Sequence, residues 1–329
     1  MILLITEQGA TVTIDGGKVV VQTEEITKTL PKELIENVSV YGNVQLSTAF
    51  IRHCLNRGIP IAYFSLKGVY FGRTVSTAKD NISRLKKQIY LMDDPSFRRV
   101  FAYITLEAKV NNQLTFLRRL QKNNPVAIDE IESIARLKRK LKTAESAEAA
   151  MGYEGMVSRH YYAALSKHLP EAFQFEKRTR RPPRDPFNSM ISLGYTILFH
   201  EIIGHIESVG LSAYGGIIHG ARRSHPSLAS DIIEEFRVPI VDTTVIDMIL
   251  KNRAKAEQFG KEEDGVFLDS ALLKEFLNEI QKKLATSQRY LPYLKEPVSY
   301  RKAIYNQCRQ LVNAIESKDP FLYEPLRIR

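Results

Sequence analysis

The first eighty residues alternate apolar and polar side chains with the two-residue period of β-strands. Residues 11–14 and 18–22 flank Asp15-Gly16-Gly17, and two alternating runs around such a turn are a strong hairpin signal. A further alternating run at 37–42 predicts another strand. The start of the chain is therefore predicted to consist of β-strands, two of which form a hairpin.

A second hairpin and one helix complete this N-terminal pattern. Residues 60–65 and 69–73 are apolar runs around the turn Leu66-Lys67-Gly68. Before them, an amphipathic helix is predicted from a cap at Ser47 to a stop at Gly58. Residues 1–80 are therefore predicted to be a small, mostly β domain with one helix.

From about residue 81 the apolar positions recur at steps of three and four, which is the helical period. A long helix is predicted from Asp93-Asp94-Pro95-Ser96 to about residue 123. Further helices are predicted near 127–142, 145–168, 188–209, 226–237, 241–258, 268–286 and 298–317. The predicted fold class is thus α+β, with a small β-rich domain at 1–80 followed by a larger all-α domain at 81–329.

Composition and charge narrow the class of partner. The chain has 329 residues, and 47 basic against 37 acidic residues give a net charge of +10. A basic protein of this kind favours a polyanionic partner. The two cysteines, Cys54 and Cys308, are too few for a disulfide framework or a cysteine metal site. No apolar run predicts a membrane span and no signal peptide is recognisable, so a cytoplasmic protein without a membrane partner is expected.

The most informative segment places a histidine before an acidic helix. His219 lies in a glycine-rich loop, and Asp231 and Glu234 follow on the helix predicted at 226–237. Residues three apart share a helix face, so both carboxylates can reach one site. One imidazole with carboxylates suits a divalent cation. The alternative is a solvated acidic face near a helix N-terminus, where the helix dipole favours acids.

Glu154 is a third acidic candidate, on the helix predicted at 145–168. It lies between Gly152 and Gly155, and each glycine inside a helix costs about 1 kcal/mol relative to alanine. Two glycines at this place predict a close approach by another helix or by nucleic acid. Arg159 follows on the same helix and could contact a phosphate. A plain surface glutamate on a glycine-packed helix is the alternative interpretation.

Basic residues cluster in two places. Five lie within seven residues between Arg136 and Lys142, where a solvated helix face explains them as well as DNA does. Five more lie between Lys177 and Arg184, beside Pro182 and Pro183, and this second cluster is expected to contact phosphate.

In order and spacing, several motifs together resemble one known family, the CRISPR-associated endonuclease/integrase of spacer acquisition, number one in the Cas series. The resemblance covers nearly the whole chain. It rests on Gly152-Tyr153-Glu154-Gly155 with Arg159 and Tyr161-Tyr162, on the segment 181–188 leading into Leu193-Gly194-Tyr195, on His219, and on the segment 226–237. In the β domain, Val40-Tyr41-Gly42-Asn43 and Ile61-Ala62-Tyr63-Phe64 also match.

The resemblance implies a ligand set and partners. It implies that Glu154, His219 and Glu234 hold Mg²⁺ or Mn²⁺, with Asp231 beside them as a fourth catalytic residue. The family often has aspartate at the position of Glu234, so which of Asp231 and Glu234 lies closer to the ion stays open. It also implies a homodimer formed through the β domains, and a small partner, number two in the Cas series, that bridges two dimers.

The function expected from this resemblance is insertion of short DNA fragments into a repeat array, by attack of a 3′-hydroxyl on a phosphodiester. The all-α domain at 81–329 is then expected to be the catalytic, DNA-binding domain. The residues predicted to bind DNA are Arg159, Arg181, Arg184, Asn188, Arg222 and Arg223. Two alternatives remain: a metal-dependent nuclease acting on branched or repair DNA, and a non-catalytic DNA-binding scaffold.

Overall fold

A computed structural model describes residues 2–66, 68–74, 76, 81–122, 124–220, 223–262 and 265–328. The chain divides into two compact units, 1–80 and 81–329. The β-rich start followed by a helical remainder confirms the predicted fold class.

Two four-stranded sheets and one helix make up the first unit. In the first sheet, β1 (Ile2–Ile5), β5 (Asn37–Tyr41) and β7 (Ile61–Phe64) run parallel, and β8 (Tyr70–Thr74) pairs antiparallel with β7. The second sheet has the order β4 (Thr27–Pro31), β3 (Lys18–Gln22), β2 (Thr11–Asp15) and β6 (Gln45–Leu46). Both predicted hairpins are present, as β2–β3 and β7–β8.

The helix of this unit, α1 (Thr48–Arg57), has the ends that its sequence predicts. The Ser47 side chain accepts a hydrogen bond from the Phe50 amide, and Gly58 ends the helix in the left-handed conformation. Phe50 and Cys54 on its inner face are fully buried, together with Val12 and Val38 of the sheets. Alternation within the strands therefore builds one apolar core.

Helices dominate the second unit. They are α2 (Ile82–Met92), α3 (Pro95–Gln121), α4 (Ile128–Leu141), α5 (Ala147–Lys167), α6 (Pro186–Ser208), α7 (Ser227–Phe236), α8 (Thr243–Leu250), α9 (Ser270–Ala285) and α10 (Tyr300–Ser317). Two short hairpins were not predicted: β9 (Phe259–Glu262) with β10 (Gly265–Leu268), and β11 (Ser287–Gln288) with β12 (Val298–Ser299). The helix predicted at 241–258 is correspondingly shorter.

The junction of α7 and α8 differs from the prediction of two separate helices at 226–237 and 241–258. The chain stays helical through a π-helical turn, Arg237–Asp242, that contains Pro239. The wider turn suits a residue without an N–H, because its hydrogen bonds run to more distant partners. Turns of this kind are frequent at functional sites. Here the turn carries Arg237 at its start and Asp242 at its end.

Among the described residues, no helix combines the length and the apolar content needed to cross a membrane.

Candidate active site

Two of the predicted metal ligands meet at a buried lysine. Glu154 on α5 and Glu234 on α7 both contact Lys109 of α3, with 2.5 Å from the ammonium Nζ to Glu154 Oε1 and 2.5 Å to Glu234 Oε2. The Lys109 and Glu234 side chains are only 6% and 5% exposed, whereas Glu154 is 19% exposed. The structure therefore brings both carboxylates to one point, around a positive charge.

Further donors hold the two carboxylates. Ser158, one turn after Glu154 on α5, donates its hydroxyl to Glu154 Oε1 at 2.5 Å. Arg237 donates to Glu234 Oε1 at 3.1 Å. Burial acts to raise the pKa of Glu234, but the Arg237 guanidinium and the Lys109 ammonium outweigh it and lower that pKa to about 2. Glu234 is thus ionised at neutral pH although it is buried.

Asp231 has a different position from Glu234. It is fully buried, and its carboxylate accepts the backbone N–H groups of Ile217 (2.6 Å), Ile218 (3.0 Å) and His219 (2.9 Å). Its Oδ1 also lies 2.8 Å from His219 Nδ1. Both oxygens are occupied by the loop that precedes α7. This geometry makes Asp231 the residue that shapes the loop and orients the imidazole.

The interaction with Asp231 also fixes what His219 can offer. Burial acts to lower the pKa of His219, but the hydrogen bond to the Asp231 carboxylate outweighs it and raises the pKa. When Nδ1–H is donated to Asp231, Nε2 carries the free lone pair. Histidines that bind metals almost always donate their other ring N–H in this way. His219 is therefore oriented as a metal ligand would be.

Gln88 and Arg98 support the His219 loop from outside it. The Gln88 side-chain amide donates to the carbonyls of Ser212 and Gly215 at 2.8 Å each, and its oxygen accepts the Ser212 N–H. Arg98 donates to the Ile217 carbonyl at 2.9 Å. A side chain at position 215 would clash with Gln88, which explains why this residue is a glycine.

The donor set fits a divalent cation, although no cluster of three such ligands is already assembled among the residues that the structure describes. Two carboxylates, a neutral imidazole nitrogen and a hydroxyl are the groups that Mg²⁺ and Mn²⁺ accept. A monovalent cation, the Lys109 ammonium, already lies between the carboxylates. Glu154, His219 and Glu234 are the residues that would hold the ion.

Two aromatic residues connect Arg237 with the second basic cluster. The Arg237 guanidinium lies over the Tyr195 ring at 4.7 Å, and Arg178 lies over Tyr162 at 5.4 Å. The Tyr162 and Tyr195 hydroxyls are 3.0 Å apart, and Tyr195 donates to the buried Asp242 at 2.6 Å. Burial raises the pKa of Asp242, against the effect of its tyrosine donors. The π-helical turn thus ties the carboxylate site to the loop before α6.

The predicted DNA contacts are found in different surroundings. Arg159, Arg181, Arg184 and Arg223 are exposed. Arg222 lies outside the described residues. Neither Gly152 nor Gly155 has another atom of the described chain within contact distance of where a Cβ would be, so no helix packs there. The close approach by another helix that these glycines predicted is therefore absent among the described residues.

The structure corrects the prediction that Asn188 binds DNA. It is fully buried, so its side chain is not available to DNA. Its amide donates to the Lys177 carbonyl at 2.9 Å and its oxygen accepts the Thr179 N–H at 3.1 Å. Asn188 therefore holds the basic loop in shape from beneath and does not contact a phosphate.

Sequence reasoning assigned no role to Lys109, Arg237 or Ser158. One signal was available for Lys109, because it interrupts the apolar Ala108 and Val110 in the middle of a long helix. A charge that is almost never buried without a partner predicts a carboxylate nearby. Arg237 lies three residues after Glu234, which is the spacing of a helical ion pair.

The chain is similar to known proteins over most of its length. Residues 3–282 match the family model of the CRISPR associated protein Cas1. The CRISPR-associated endonuclease Cas1 of Mycobacterium tuberculosis (strain CDC 1551 / Oshkosh) is 31% identical over 324 residues, which are 97% of this chain and 95% of the relative.

Two solved structures share the fold. A chain of the Cas6-RT-Cas1--Cas2 complex superposes with a TM-score of 0.85 at 24% identity; all of this chain is matched, but it spans only 36% of that one. A casposase bound to integration product also gives a TM-score of 0.85 at 24% identity, covering 96% and 91% of the two chains. By the family model and the sequence identity, the chain belongs to the Cas1 family of CRISPR-associated endonucleases.

Proposed function

We propose that this protein is a metal-dependent DNA endonuclease and integrase, which inserts short DNA fragments into a CRISPR repeat array. The proposal rests on the hydrogen bond of His219 Nδ1 with Asp231, together with the two carboxylates, Glu154 and Glu234, that both contact the Lys109 ammonium. Membership of the Cas1 family supplies the reaction class, and the casposase bound to integration product has the same fold.

The site residues have separate roles in phosphoryl transfer. Glu154, His219 and Glu234 would hold Mg²⁺ or Mn²⁺, which supplies Lewis-acid polarisation of the scissile phosphate when bound. Asp231 keeps the imidazole oriented. Arg237, which is paired with Glu234 and buried, adds a fixed positive charge where negative charge develops on the phosphate. The attacking group is the 3′-hydroxyl of a fragment in integration and water in nicking.

Exposed arginines bind the DNA in this proposal. Arg181 and Arg184 lie on the loop that Asn188 and Arg178 shape. Arg159 is exposed on α5, and Arg223 is exposed in the segment before α7. The bare backbone at Gly152 and Gly155 lets a duplex approach Glu154 closely. Arg222 is assigned to the same group on its sequence position alone.

The proposed partners are a second copy of this chain and a small Cas2-type protein. The structural neighbour in which Cas1 and Cas2 occur together supports the second, although this chain spans only 36% of that neighbour. Dimerisation through the β-rich unit, with the small protein bridging two dimers, remains a proposal.

An integration assay tests the proposal. The purified protein, with and without the small partner, is incubated with a duplex bearing free 3′-hydroxyls and a plasmid carrying the repeat. We expect joined product in Mg²⁺ or Mn²⁺ and none in EDTA, since the carboxylates then lack the ion. Cleavage without joining would favour a repair nuclease. Duplex binding with neither cleavage nor joining in Mg²⁺ or Mn²⁺ would favour a non-catalytic scaffold.

The basic loop gives a prediction of its own. Reversing the charges of Arg180, Arg181 and Arg184 to glutamate is expected to weaken duplex binding. It should also reduce the slope of log Kd against log salt by about three, because each phosphate contact contributes a slope of about 0.9. Filter binding at several salt concentrations measures both quantities.

The matched control reverses the same number of charges on the exposed face of α4, at Arg136, Arg139 and Lys140. It changes the net charge equally, but on the cluster for which a solvated helix face is as good an explanation as DNA. Equal slopes for the two triple variants would show that only net charge counts, and would contradict the assignment of the loop.

A further inference from the structure

Lys109 occupies the place between Glu154 and Glu234 where the proposed ion would bind. Its ammonium contacts one oxygen of each carboxylate at 2.5 Å, and its side chain is 6% exposed. A lysine is almost never buried unless it is paired. Lys109 also differs from an ordinary structural ion pair, in which a lysine contacts a single acid. It bridges two acids that reach it from different helices.

The charges around this point add up to a nearly neutral site. Glu154, Glu234 and Asp231 are three negative charges, while Lys109 and Arg237 are two positive ones. These five side chains together carry a net charge of −1. A divalent cation added to this set would make it +1, in surroundings too buried for water to screen the charge well. A phosphodiester brings one negative charge and restores neutrality.

We propose that Lys109 is a built-in counterion that holds the two metal-binding carboxylates together in the free protein and makes metal binding depend on the arrival of a DNA phosphate. The inference rests on the metal site proposed above. Without DNA, the metal ion must compete with the Lys109 ammonium for the two carboxylates, so the ion binds weakly. When DNA is bound, the Lys109 ammonium can interact with a DNA phosphate instead. The negative charge of that phosphate also balances the positive charge that the metal ion adds to the site.

The lysine thereby limits where metal chemistry occurs. A nuclease that binds its metal ion only together with DNA is catalytically inactive when no DNA is bound. Lys109 acts here through the carboxylates that it contacts, so it is a positioning residue and not one of the metal ligands.

The test measures Mn²⁺ binding to the full-length chain by electron paramagnetic resonance of free Mn²⁺. It uses the wild type and Lys109→Met, each with and without a duplex whose 3′ ends are dideoxy-terminated. Lysine and methionine have similar length, so the change removes mainly the charge. In the wild type, DNA should tighten Mn²⁺ binding by at least about tenfold. Lys109→Met should bind Mn²⁺ alone at least about tenfold more tightly than the wild type, and DNA should add less than about threefold.

Lys138→Met is the matched control. Lys138 is also a partly buried lysine paired with a glutamate, at 3.0 Å from Glu107, but it does not contact Glu154 or Glu234. It should behave as the wild type does. Equal Mn²⁺ affinity of Lys109→Met and the wild type without DNA overturns the proposal, as does an undiminished effect of DNA in the variant.

Folding is followed by circular dichroism in the same samples. If Lys109→Met is unfolded in EDTA, Mn²⁺ should restore the fold, because the ion then takes over the place of the ammonium. A variant that stays unfolded with saturating Mn²⁺ and DNA overturns the inference. Absence of Mn²⁺ binding in the wild type and the variant, with and without DNA, is a different result: the proposed metal site itself is then wrong.

Discussion

Glu154→Gln is expected to lower strand transfer by at least about a thousandfold, because loss of one ligand charge removes several kcal/mol of transition-state stabilisation. Glutamine has the shape of glutamate and can still accept the Ser158 hydroxyl, so the fold of α5 should survive. Duplex binding in EDTA depends on the exposed arginines and not on the ion, so it should change by less than about threefold. The same result is expected for alanine at the three ligand positions, Glu154, His219 and Glu234. Gel assays of joining and filter binding of the same preparation measure both effects.

The control for Glu154→Gln is the same substitution at the exposed Glu132 on α4, which should leave joining unchanged. Wild-type joining by Glu154→Gln in both Mg²⁺ and Mn²⁺ would show that Glu154 is not a ligand. A loss of joining together with a loss of duplex binding in EDTA would instead make Glu154 part of the DNA surface.

Local signals in the sequence were sufficient for most of the fold. Ser47 and Gly58 predicted both ends of α1, and Asp15-Gly16-Gly17 predicted the β2–β3 hairpin, because caps and tight turns depend on a few neighbouring residues. The π-helical turn could not be predicted in this way. Pro239 usually ends a helix, and only the packing of α7 and α8 in the interior decides that the helix continues through a wider turn.

Within the candidate site, the identity of the residues was easier to predict than their roles. The spacing of Asp231 and Glu234 puts both on one side of α7, but it does not say which one turns toward the loop. The structure places Asp231 beneath three backbone amides and Glu234 beside Lys109. Lys109 belongs to α3, more than a hundred residues earlier in the chain. Such contacts follow from helix packing and leave no periodic signal.

The acid next to Glu234 depends on the end of the chain. Glu235 is fully buried and accepts hydrogen bonds from the Tyr323 hydroxyl, the Leu326 N–H and the Gln307 amide. Burial raises the pKa of Glu235 to about 7, although these donors act to lower it. Asn112 on α3 holds the same segment through the Leu326 carbonyl and the Ile328 N–H. Residues 323–328 therefore line the buried side of α7.

Removal of residues 323–329 is expected to destabilise the protein by about 3–5 kcal/mol, because it strips a buried carboxylate of its partners. Strand transfer should be lost as well, since α7 carries Asp231 and Glu234. Tyr323→Phe removes one hydroxyl and should cost about 1–3 kcal/mol. Urea unfolding followed by circular dichroism gives the free energies, and the joining assay gives the activity.

Phe321→Ala separates this effect from a general sensitivity of the C-terminus. Phe321 lies two residues before Tyr323 but is 70% exposed, so its loss should change the stability by less than about 0.5 kcal/mol. A truncated protein that unfolds at the wild-type urea concentration would contradict the role of the segment. If it stayed stable but inactive, the segment would act on the chemistry and not on the fold. We expect stability and strand transfer to be lost together because of the positions of two adjacent residues on α7. Glu234 faces the proposed ion, whereas Glu235 faces the C-terminal segment, so a disturbance of that segment also moves the proposed metal ligand.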